Sequence, residues 1–196
     1  MANEQKLLND VRNHIQNMFR SSLSSEDFVS SNDDTITMIS GRNTPEEGSI
    51  AHATLGVCLY HKPSLKPGED VAVEFIGVEH ESSDIVRGIL SSCAYGVMDG
   101  MPASPFTCWG DMLPIYIPES KLKHVLFLPP YLWGEELLVS TFENTTVFYL
   151  LVCPLSDGEA NFLLKFHDNS IGAKTLIQEV EKAEKNIFDF NRDPIF

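Results

Sequence analysis

The stretch of sequence that decides the fold reads KHVLFLPPYLW and covers residues 123–133. Residues 124–128 form an apolar run of strand length, and two prolines follow it directly. Because proline cannot donate to a sheet ladder, Pro129 and Pro130 are expected to end the strand. The aromatic segment after them should fold its apolar surface back onto the sheet. We therefore expect Trp133 to be mainly structural, with contact to a partner as the alternative.

Helical and strand-like patterns alternate irregularly on both sides of this strand. Apolar residues recur at helical spacing over residues 7–19, 85–97 and about 170–185, whereas residues 24–34 are polar and predict a loop. The remaining strand-like runs are 35–39, 50–60, 71–76, 113–117 and 146–153. Single strands and helices do not alternate regularly, which disfavours a doubly wound parallel sheet. The pattern predicts an α+β fold, in which a mixed, largely antiparallel sheet is flanked by helices.

The segment after the last predicted strand carries a signal for the start of a helix. Pro154 follows the strand predicted over residues 146–153, and Ser156 and Glu159 then have the spacing of a capping box. In that motif each side chain binds the backbone N–H of the other residue. A short helix is expected next, and apolar residues in the tail over 189–196 indicate that the tail packs against the domain.

Length and composition set the broad class of the protein. The 196 residues favour one domain over residues 1–196, opened by an N-terminal helix within 1–23, with two small domains as the minor alternative. There is no signal-peptide pattern, and no apolar run reaches the roughly 20 residues of a membrane helix. The four cysteines include no CxxC pair, so we expect reduced packing thiols and no metal. These features predict a soluble cytoplasmic protein.

The charge balance narrows the class of partner. Fourteen basic residues stand against 28 acidic ones, which gives a net charge of −14, and the excess is spread along the chain. Binding to nucleic acid or to an anionic membrane needs a basic patch, and no cluster supplies one. A basic protein partner would be attracted, although acidity that serves only solubility is the alternative.

Motifs that carry catalysis are absent from the sequence. It has no GxSxG, no phosphate loop, no GxGxxG and no HExxH, and its six histidines are not clustered. Glu74 stands inside an apolar strand, where burial would demand a partner or a raised pKa, and a structural role is favoured over catalysis. His80 is interpreted as part of a solvated loop and His124 as a strand-edge residue. We therefore predict a protein that is not an enzyme and needs no cofactor.

Three segments of the chain, residues 123–133, 152–159 and 188–192, resemble the suppressor-of-fused (Sufu) domain family. They are similar to the family's strand followed by Pro-Pro and aromatic-Leu-Trp, to its Pro-x-Ser-x-x-Glu step from strand into helix, and to its ending. The resemblance is clearest over residues 71–196. The residues that match the family's structural motifs are Glu74, His124, Pro129, Pro130, Ser156, Glu159, Asp189 and Arg192.

The resemblance implies a Sufu-like α/β sandwich without known catalytic residues. In animals the domain is part of a regulator that sequesters a transcription factor in hedgehog signalling. Bacterial single-domain members are regarded as immunity proteins that neutralise toxins of polymorphic toxin systems, and strong acidity fits that role. We therefore expect a non-catalytic immunity protein of this bacterial type. A general intracellular interaction or regulatory module is the alternative, and a hydrolase with an unrecognised site is a remote one.

Two tryptophans and the acidic loops near them are the candidates for contact with a partner. Aromatic anchors surrounded by charge would give a binding surface a desolvated centre and a charged rim. The expected partner is a basic toxin domain. The residues assigned to this surface are Trp109, Trp133, Asp99, Asp111, Glu135 and Glu136.

Overall fold

The structure is a computed structural model, which describes residues 2–30, 32–60, 62–63, 68–80, 84–134 and 138–196. Within those ranges the chain forms four α-helices and nine strands. The helices are α1 (Ala2–Phe19), α2 (Asp84–Met98), α3 (Asp157–Leu163) and α4 (Asn169–Lys182). The strands are β1 (Leu23–Val29), β2 (Thr35–Arg42), β3 (Ile50–Leu55), β4 (Lys62–Pro63), β5 (Asp70–Glu79), β6 (Cys108–Trp109), β7 (Leu122–Leu128), β8 (Val139–Phe142) and β9 (Thr145–Ser156).

The nine described strands belong to one sheet. Their order is β1-β2-β3-β5-β9-β7-β6, with β4 paired to β5 and β8 paired to β9. Strands β5 and β9 run parallel to each other, and the other described pairs are antiparallel. The prediction of a mixed, largely antiparallel sheet flanked by helices is therefore confirmed.

Helices cover both faces of this sheet. On one face, α1 and α4 bury Ile15 and Leu176 against a cluster that includes Tyr149 of β9. On the opposite face, α2 buries Leu90 in a cluster that includes Leu150 of the same strand. Because β9 lies in the middle and is covered on both faces, its sequence is a nearly continuous apolar run. The result is three layers with one hydrophobic core on each side of the sheet.

The helical periodicities and the capping box are confirmed. Helices α1, α2 and α4 cover the three predicted stretches, although α4 ends earlier than expected, at Lys182. Ser156 and Glu159 form the capping box at the start of α3. The strand expected over residues 50–60 is shorter, because β3 ends at Leu55 and Gly56 turns the chain with a φ of 126° into a 3₁₀ turn over Val57–Leu59. Only glycine adopts such a φ without strain.

Two of the expectations for local structure are wrong. Residues 24–34 predict a loop, but β1 pairs with β2 along its whole length. Strand β1 lies at the edge of the sheet with mostly exposed side chains, so its sequence is polar and backbone hydrogen bonds hold it extended. Residues 113–117 predict a strand, but Tyr116 N and Ile117 N both donate to Leu113 O, which forms a turn.

Pro154 is a third difference, since β9 continues through it to its end at Ser156. Pro154 lies opposite Val125 of β7, whereas the pairing of β9 with β5 stops at Leu151. Its carbonyl oxygen accepts a hydrogen bond of 2.9 Å from Arg192 Nη2. The backbone nitrogen and oxygen of a strand residue point to the same side. The nitrogen of Pro154, which has no N–H, therefore faces the side of β9 on which β5 no longer pairs. No hydrogen bond between strands is lost there.

Candidate binding surface

Glu74 holds a turn of the backbone from inside the core. Its carboxylate is completely buried, and Oε1 accepts hydrogen bonds from Gly56 N at 2.9 Å and Cys58 N at 3.0 Å. Oε2 accepts a bond of 2.5 Å from Thr54 Oγ1. Burial raises the pKa of Glu74 to about 7, and the hydrogen bond from Thr54 opposes that shift. With both oxygens bonded and no contact with solvent, this carboxylate is suited to structure rather than to catalysis.

Glu159 and Arg192 form a second buried centre of charge. Arg192 Nη1 donates to Glu159 Oε1 at 2.5 Å and Nη2 to Oε2 at 2.8 Å, with both side chains almost fully buried. Asp189 Oδ1 accepts a bond of 2.8 Å from Asn191 N, which shapes the turn before the arginine. Burial alone would raise the pKa of Glu159, but hydrogen bonds from Arg192 and from the Ser156 backbone outweigh it and hold that pKa below its usual value.

His124 belongs to a polar cluster at the surface. Its Nδ1 accepts a hydrogen bond of 3.0 Å from Asp111 N, so the proton stays on Nε2, which donates to Asp157 Oδ1 at 2.9 Å. Lys123 also binds Asp157, and its hydrogen bond lowers the pKa of that carboxyl. The carboxylate of Asp111 is 81% exposed, and its Oδ1 lies 4.0 Å from His124 Nδ1 at the edge of this cluster. The arrangement fixes the start of β7 and leaves Asp111 at the surface.

The two tryptophans lie on opposite faces of the sheet. Trp109 is 5% exposed in the α2 core, where its ring packs 5.0 Å from the ring of Phe127. Trp133 follows Pro129 and Pro130 in a 3₁₀ turn on the α1 face and packs 5.6 Å from the ring of Phe19. The structure therefore does not bring the two rings into one patch. Glu135 and Glu136 lie outside the described residues.

An apolar groove beside the last turn of α2 is the best candidate for a binding surface, and we call it the α2 groove. Its volume is about 260 Å³. Met101 and Tyr60 at its edge are 42% and 39% exposed, so the groove offers apolar surface to solvent. The groove is lined by Tyr60, Lys62, Val71, Ala72, Val73, Val97, Met101, Pro102, Ala103, Ser104, Pro105 and Phe148.

The groove exists because α2 is shorter than the sheet face beneath it. Helix α2 ends at Met98, and the chain then folds back through a bond of 2.8 Å from Met101 N to Gly96 O. Trp109 supports this wall from below, since its Nε1 donates to Pro102 O at 3.0 Å. A Cβ on Gly96 would lie 2.7 Å from the Trp109 ring, so the glycine is needed for this packing. Trp109 thus shapes the groove without offering its own surface.

Acidic side chains border the α2 groove on one side. Tyr60 Oη donates to Asp34 Oδ1 at 3.3 Å, and burial, followed by the charge of Asp34, raises the pKa of Tyr60. Asp34 and Asp99 both line a small adjoining cavity next to Tyr95. Among the described lining residues the one cation is Lys62, whose Nζ donates to Gly100 O at 3.4 Å. Of the acidic residues expected at a binding surface, Asp99 therefore lies beside the groove, whereas Asp111 lies elsewhere.

Sequence reasoning missed most of the groove because its parts come from five segments of the chain. Val73 and Phe148 belong to neighbouring strands β5 and β9 and were expected only as core residues. A signal was nevertheless present. Residues 99–110 combine the large apolar side chains of Met101, Phe106 and Trp109 with prolines and glycines, a composition that predicts largely irregular structure with apolar surface.

The described part of the chain has no assembled metal site and no activated thiol. Among the described residues, no group of three or more histidine, cysteine and acidic side chains is arranged to hold a metal ion. The four cysteines are free thiols, and burial raises the pKa of each above its usual value, to about 11 for the exposed Cys108. A raised pKa keeps a thiol protonated and unreactive. In the same part of the chain, no helix has both the length and the apolar character needed to cross a membrane.

Comparisons with known proteins agree with this architecture. Residues 32–193 match the family described as Suppressor of fused protein (SUFU). The chain is 29% identical over 166 residues to "Immunity protein YqcF" of Bacillus subtilis (strain 168), covering 82% of each chain. It superimposes on a SUFU homologue from Neisseria gonorrhoeae FA 1090 with a TM-score of 0.68 and 16% identity over 97% of both chains. A chain of a Sufu–Fu complex gives a TM-score of 0.68 at 12% identity, covering 96% of this chain and 92% of that one. The structural likenesses show a shared fold.

Proposed function

This chain belongs to the Suppressor of fused protein (SUFU) family, and from that premise we propose that it is an immunity protein that neutralises a toxin by binding it. The observation that carries the proposal is its likeness to the Bacillus subtilis immunity protein over 82% of both chains. The SUFU match begins earlier in the chain than the resemblance over residues 71–196 and covers residues 32–193. The proposal places the chain in the cytoplasm, as a single domain that meets its partner there.

The chemistry of the buried groups supports binding rather than catalysis. Glu74, Glu159 and Arg192 are buried ionisable residues, and hydrogen bonds occupy both oxygens of each carboxylate. Carboxylates that are buried and bonded through both oxygens are poorly placed to exchange a proton with a substrate. The thiols are protonated at neutral pH, as their raised pKa values require. We propose that the chain acts without a cofactor and is not an enzyme.

The α2 groove is the surface we assign to the partner. The exposed Met101 and the half-buried Phe148 would be desolvated in the centre, and Asp34 and Asp99 would form an acidic rim. The net charge of −14 favours a basic toxin domain. The residues Trp109 and Trp133 then act as supports of the fold. A general interaction or regulatory module is the second candidate, favoured by the likeness to a chain of the Sufu–Fu complex.

The test is protection of a cell against the product of the gene beside this chain's gene, which the proposal expects to be a toxin. The toxin is expressed with the chain or without it, and binding of the two purified proteins is measured in parallel. We expect protection and a stable complex. The second candidate would be favoured by a chain that binds other proteins but neither binds nor neutralises this gene product, and that result would overturn the immunity proposal.

Two exposed positions allow a matched test of the binding surface. Met101→Lys places a positive charge in the α2 groove, whereas Ile115→Lys places the same charge at a residue that is 78% exposed and lies outside it. Substitutions at exposed positions change stability by less than about 0.5 kcal/mol. We expect Met101→Lys to lose protection and Ile115→Lys to keep it. Equal protection by both variants would remove the groove from the proposal and leave the immunity function standing.

A further inference from the structure

A second groove lies at the other end of α2, and we call it the tail groove. It is formed by the end of β5 with Val78, by the first turn of α2 with Val86, and by the tail segment 186–191. Its volume is about 720 Å³, the larger of the two grooves. The segments that carry the family resemblance, 123–133 and 188–192, meet here through Leu132 and Phe188. The tail groove is therefore formed in part by the segments that resemble the family's motifs.

The side chains of the tail groove combine an apolar floor with negative charge. Val78, Leu132 and Phe188 belong to the core side of the groove. Three carboxylates line it, Glu46, Glu79 and Asp189, and the described lining includes no lysine or arginine. Glu79 is buried and binds His52 Nε2 at 3.0 Å, so Glu46 and Asp189 are the carboxylates that face solvent.

The wall made by the tail is fixed before any partner arrives. Phe188 N donates to Asn186 Oδ1 at 2.9 Å, and Asn191 N donates to Asp189 Oδ1 at 2.8 Å, so side chains hold both turns. Phe190 is buried in the α2 core, and Arg192 is held by Glu159. A groove whose walls are already ordered loses little conformational entropy when it is filled.

One feature favours the opposite charge. The first turn of α2 borders the groove, and the N–H groups of a helix N-terminus attract anions. That attraction corresponds to roughly half a unit charge, whereas the two solvent-facing carboxylates carry one full charge each at neutral pH. The net field in the groove therefore favours a cation.

We propose that the tail groove takes a basic segment of the protein partner. The alkyl stem of a basic side chain packs on Phe188 and Leu132, and its charged end lies near Glu46 and Asp189. An arginine suits this site, since its guanidinium also stacks on aromatic rings. The proposal rests on the proposed function in that the chain binds a protein, and it adds a contact separate from the α2 groove. Helix α2 has 15 residues. At about 1.5 Å per residue the two grooves lie on the order of 20 Å apart, close enough for one toxin domain to reach both.

The probe is a short blocked peptide that alternates arginine and leucine, compared with the same peptide carrying glutamate in place of arginine. Binding to the full chain is followed by changes in the NMR signals of the backbone amides. The charge variant is Glu46→Gln with Asp189→Asn, because asparagine keeps the Oδ1 that accepts from Asn191 N. The control variant, Asp10→Asn with Glu119→Gln, removes the same charge from surfaces outside the groove.

We expect the arginine peptide to shift the amides of residues 78–79 and 186–191, and the glutamate peptide to leave them unchanged. The charge variant should bind the arginine peptide about threefold to tenfold more weakly, as expected for the loss of two exposed ion pairs, and the control variant should bind it as the native chain does. Equal weakening in both variants, binding of the glutamate peptide, or shifts confined to other surfaces would overturn the proposal. Because no toxin takes part in this experiment, such a failure would not contradict the proposed immunity function, which is tested separately by protection against the toxin.

Discussion

The guanidinium of Arg192 binds the carboxylate of Glu159 through two parallel hydrogen bonds, of 2.5 and 2.8 Å, across 33 residues of sequence. Ile195 N adds a bond of 3.1 Å to Glu159 Oε1, and Ser156 N one of 2.9 Å to Oε2. One carboxylate thus joins the start of α3, the end of β9 and the tail. Because the tail forms a wall of the tail groove, this buried pair also supports a surface that we assign to binding.

Replacing the arginine tests how much this pair stabilises the fold. We expect Arg192→Met to lower the free energy of unfolding by about 3–5 kcal/mol, because it leaves the buried carboxylate of Glu159 without its counter-charge. Urea denaturation followed by circular dichroism measures the change. The matched control is Lys121→Met, which breaks an exposed pair of 3.2 Å with Asp193 in the same region. That variant should unfold like the native chain, and a similar loss in both variants would contradict the importance of burial.

The same centre shows how far sequence alone could lead. Ser156 and Glu159 are three residues apart, and their spacing predicts the capping box that the structure contains. The partner of Glu159 was not predictable, because nothing local to Arg192 indicates which carboxylate it will meet after folding. The same division applies to the sheet. Its general type was predictable, because periodicity records whether each strand is buried or exposed. The parallel pairing of β5 with β9 was not, because it depends on contacts between distant segments.

The binding surfaces were less predictable than the fold. Tryptophans and acidic loops were the expected components, but their positions relative to each other depend on which face of the sheet each segment covers. Trp109 and Trp133 are only 24 positions apart in the sequence and still lie in different cores. A groove such as the one at Met101 arises from the length of a helix relative to the sheet beneath it, and no local sequence pattern records that difference.

Glu74 predicts a dependence of stability on pH. Its pKa is about 7 in the folded chain against an ordinary value of 4.5, so between these values the folded state holds a proton that the unfolded state has lost. The free energy of unfolding should therefore fall as pH rises from about 4.5 to about 7. At about 1.4 kcal/mol for each pKa unit, the total contribution is about 3 kcal/mol.

The variant Glu74→Gln isolates this contribution. The amide keeps an oxygen for Gly56 N and Cys58 N, and its NH₂ group can donate to Thr54 Oγ1, but it has no proton to lose in this range. Denaturation of the native chain and of the variant is measured at several pH values. We expect the difference between the two curves to carry the downward slope, and parallel curves would mean that Glu74 ionises freely in the folded state.

Close packing of α2 on β5 depends on the absence of a side chain at Gly77. A Cβ there would lie 2.5 Å from Val86 Cγ1, so Gly77→Ala must push the helix away or distort the valine. We expect a loss of about 1–3 kcal/mol in the free energy of unfolding, typical of overpacking. The double variant Gly77→Ala with Val86→Ala supplies the control, because it restores room at the contact. Its loss should be smaller than the sum of the two single losses, and additive losses would show that the contact is not what limits this site.

Trp133 is expected to stabilise the fold rather than to bind a partner directly. Its ring packs on Phe19, and its Nε1 donates to Thr44 Oγ1 at 2.9 Å, which bridges residues far apart in sequence. We expect Trp133→Ala to lower the free energy of unfolding by about 2–4 kcal/mol, slightly less than for a fully buried aromatic residue. Thermal melting and toxin binding are measured on the same preparation. A variant with an unchanged melting temperature and lost binding would identify Trp133 as an exposed anchor.

Electrostatic attraction should govern how fast the toxin is captured. The chain has a net charge of −14, and Asp34 and Asp99 stand beside the α2 groove. Charges at the rim of an interface act mainly on the association rate, whereas apolar contacts such as that of Met101 act on the residence time. The screening length is about 8 Å at physiological salt and about 3 Å at 1 M, so raising the salt concentration should slow association strongly and change dissociation little.

The variant Asp34→Asn with Asp99→Asn should slow association at low salt and approach the native rate at high salt. The variant Asp10→Asn with Glu119→Gln is the control that removes the same charge elsewhere. Stopped-flow measurements across a salt series give the association rate of each variant. An association rate that does not change with salt would show that the acidity serves solubility and that binding is apolar. A natural partner that is itself acidic would lead to the same conclusion.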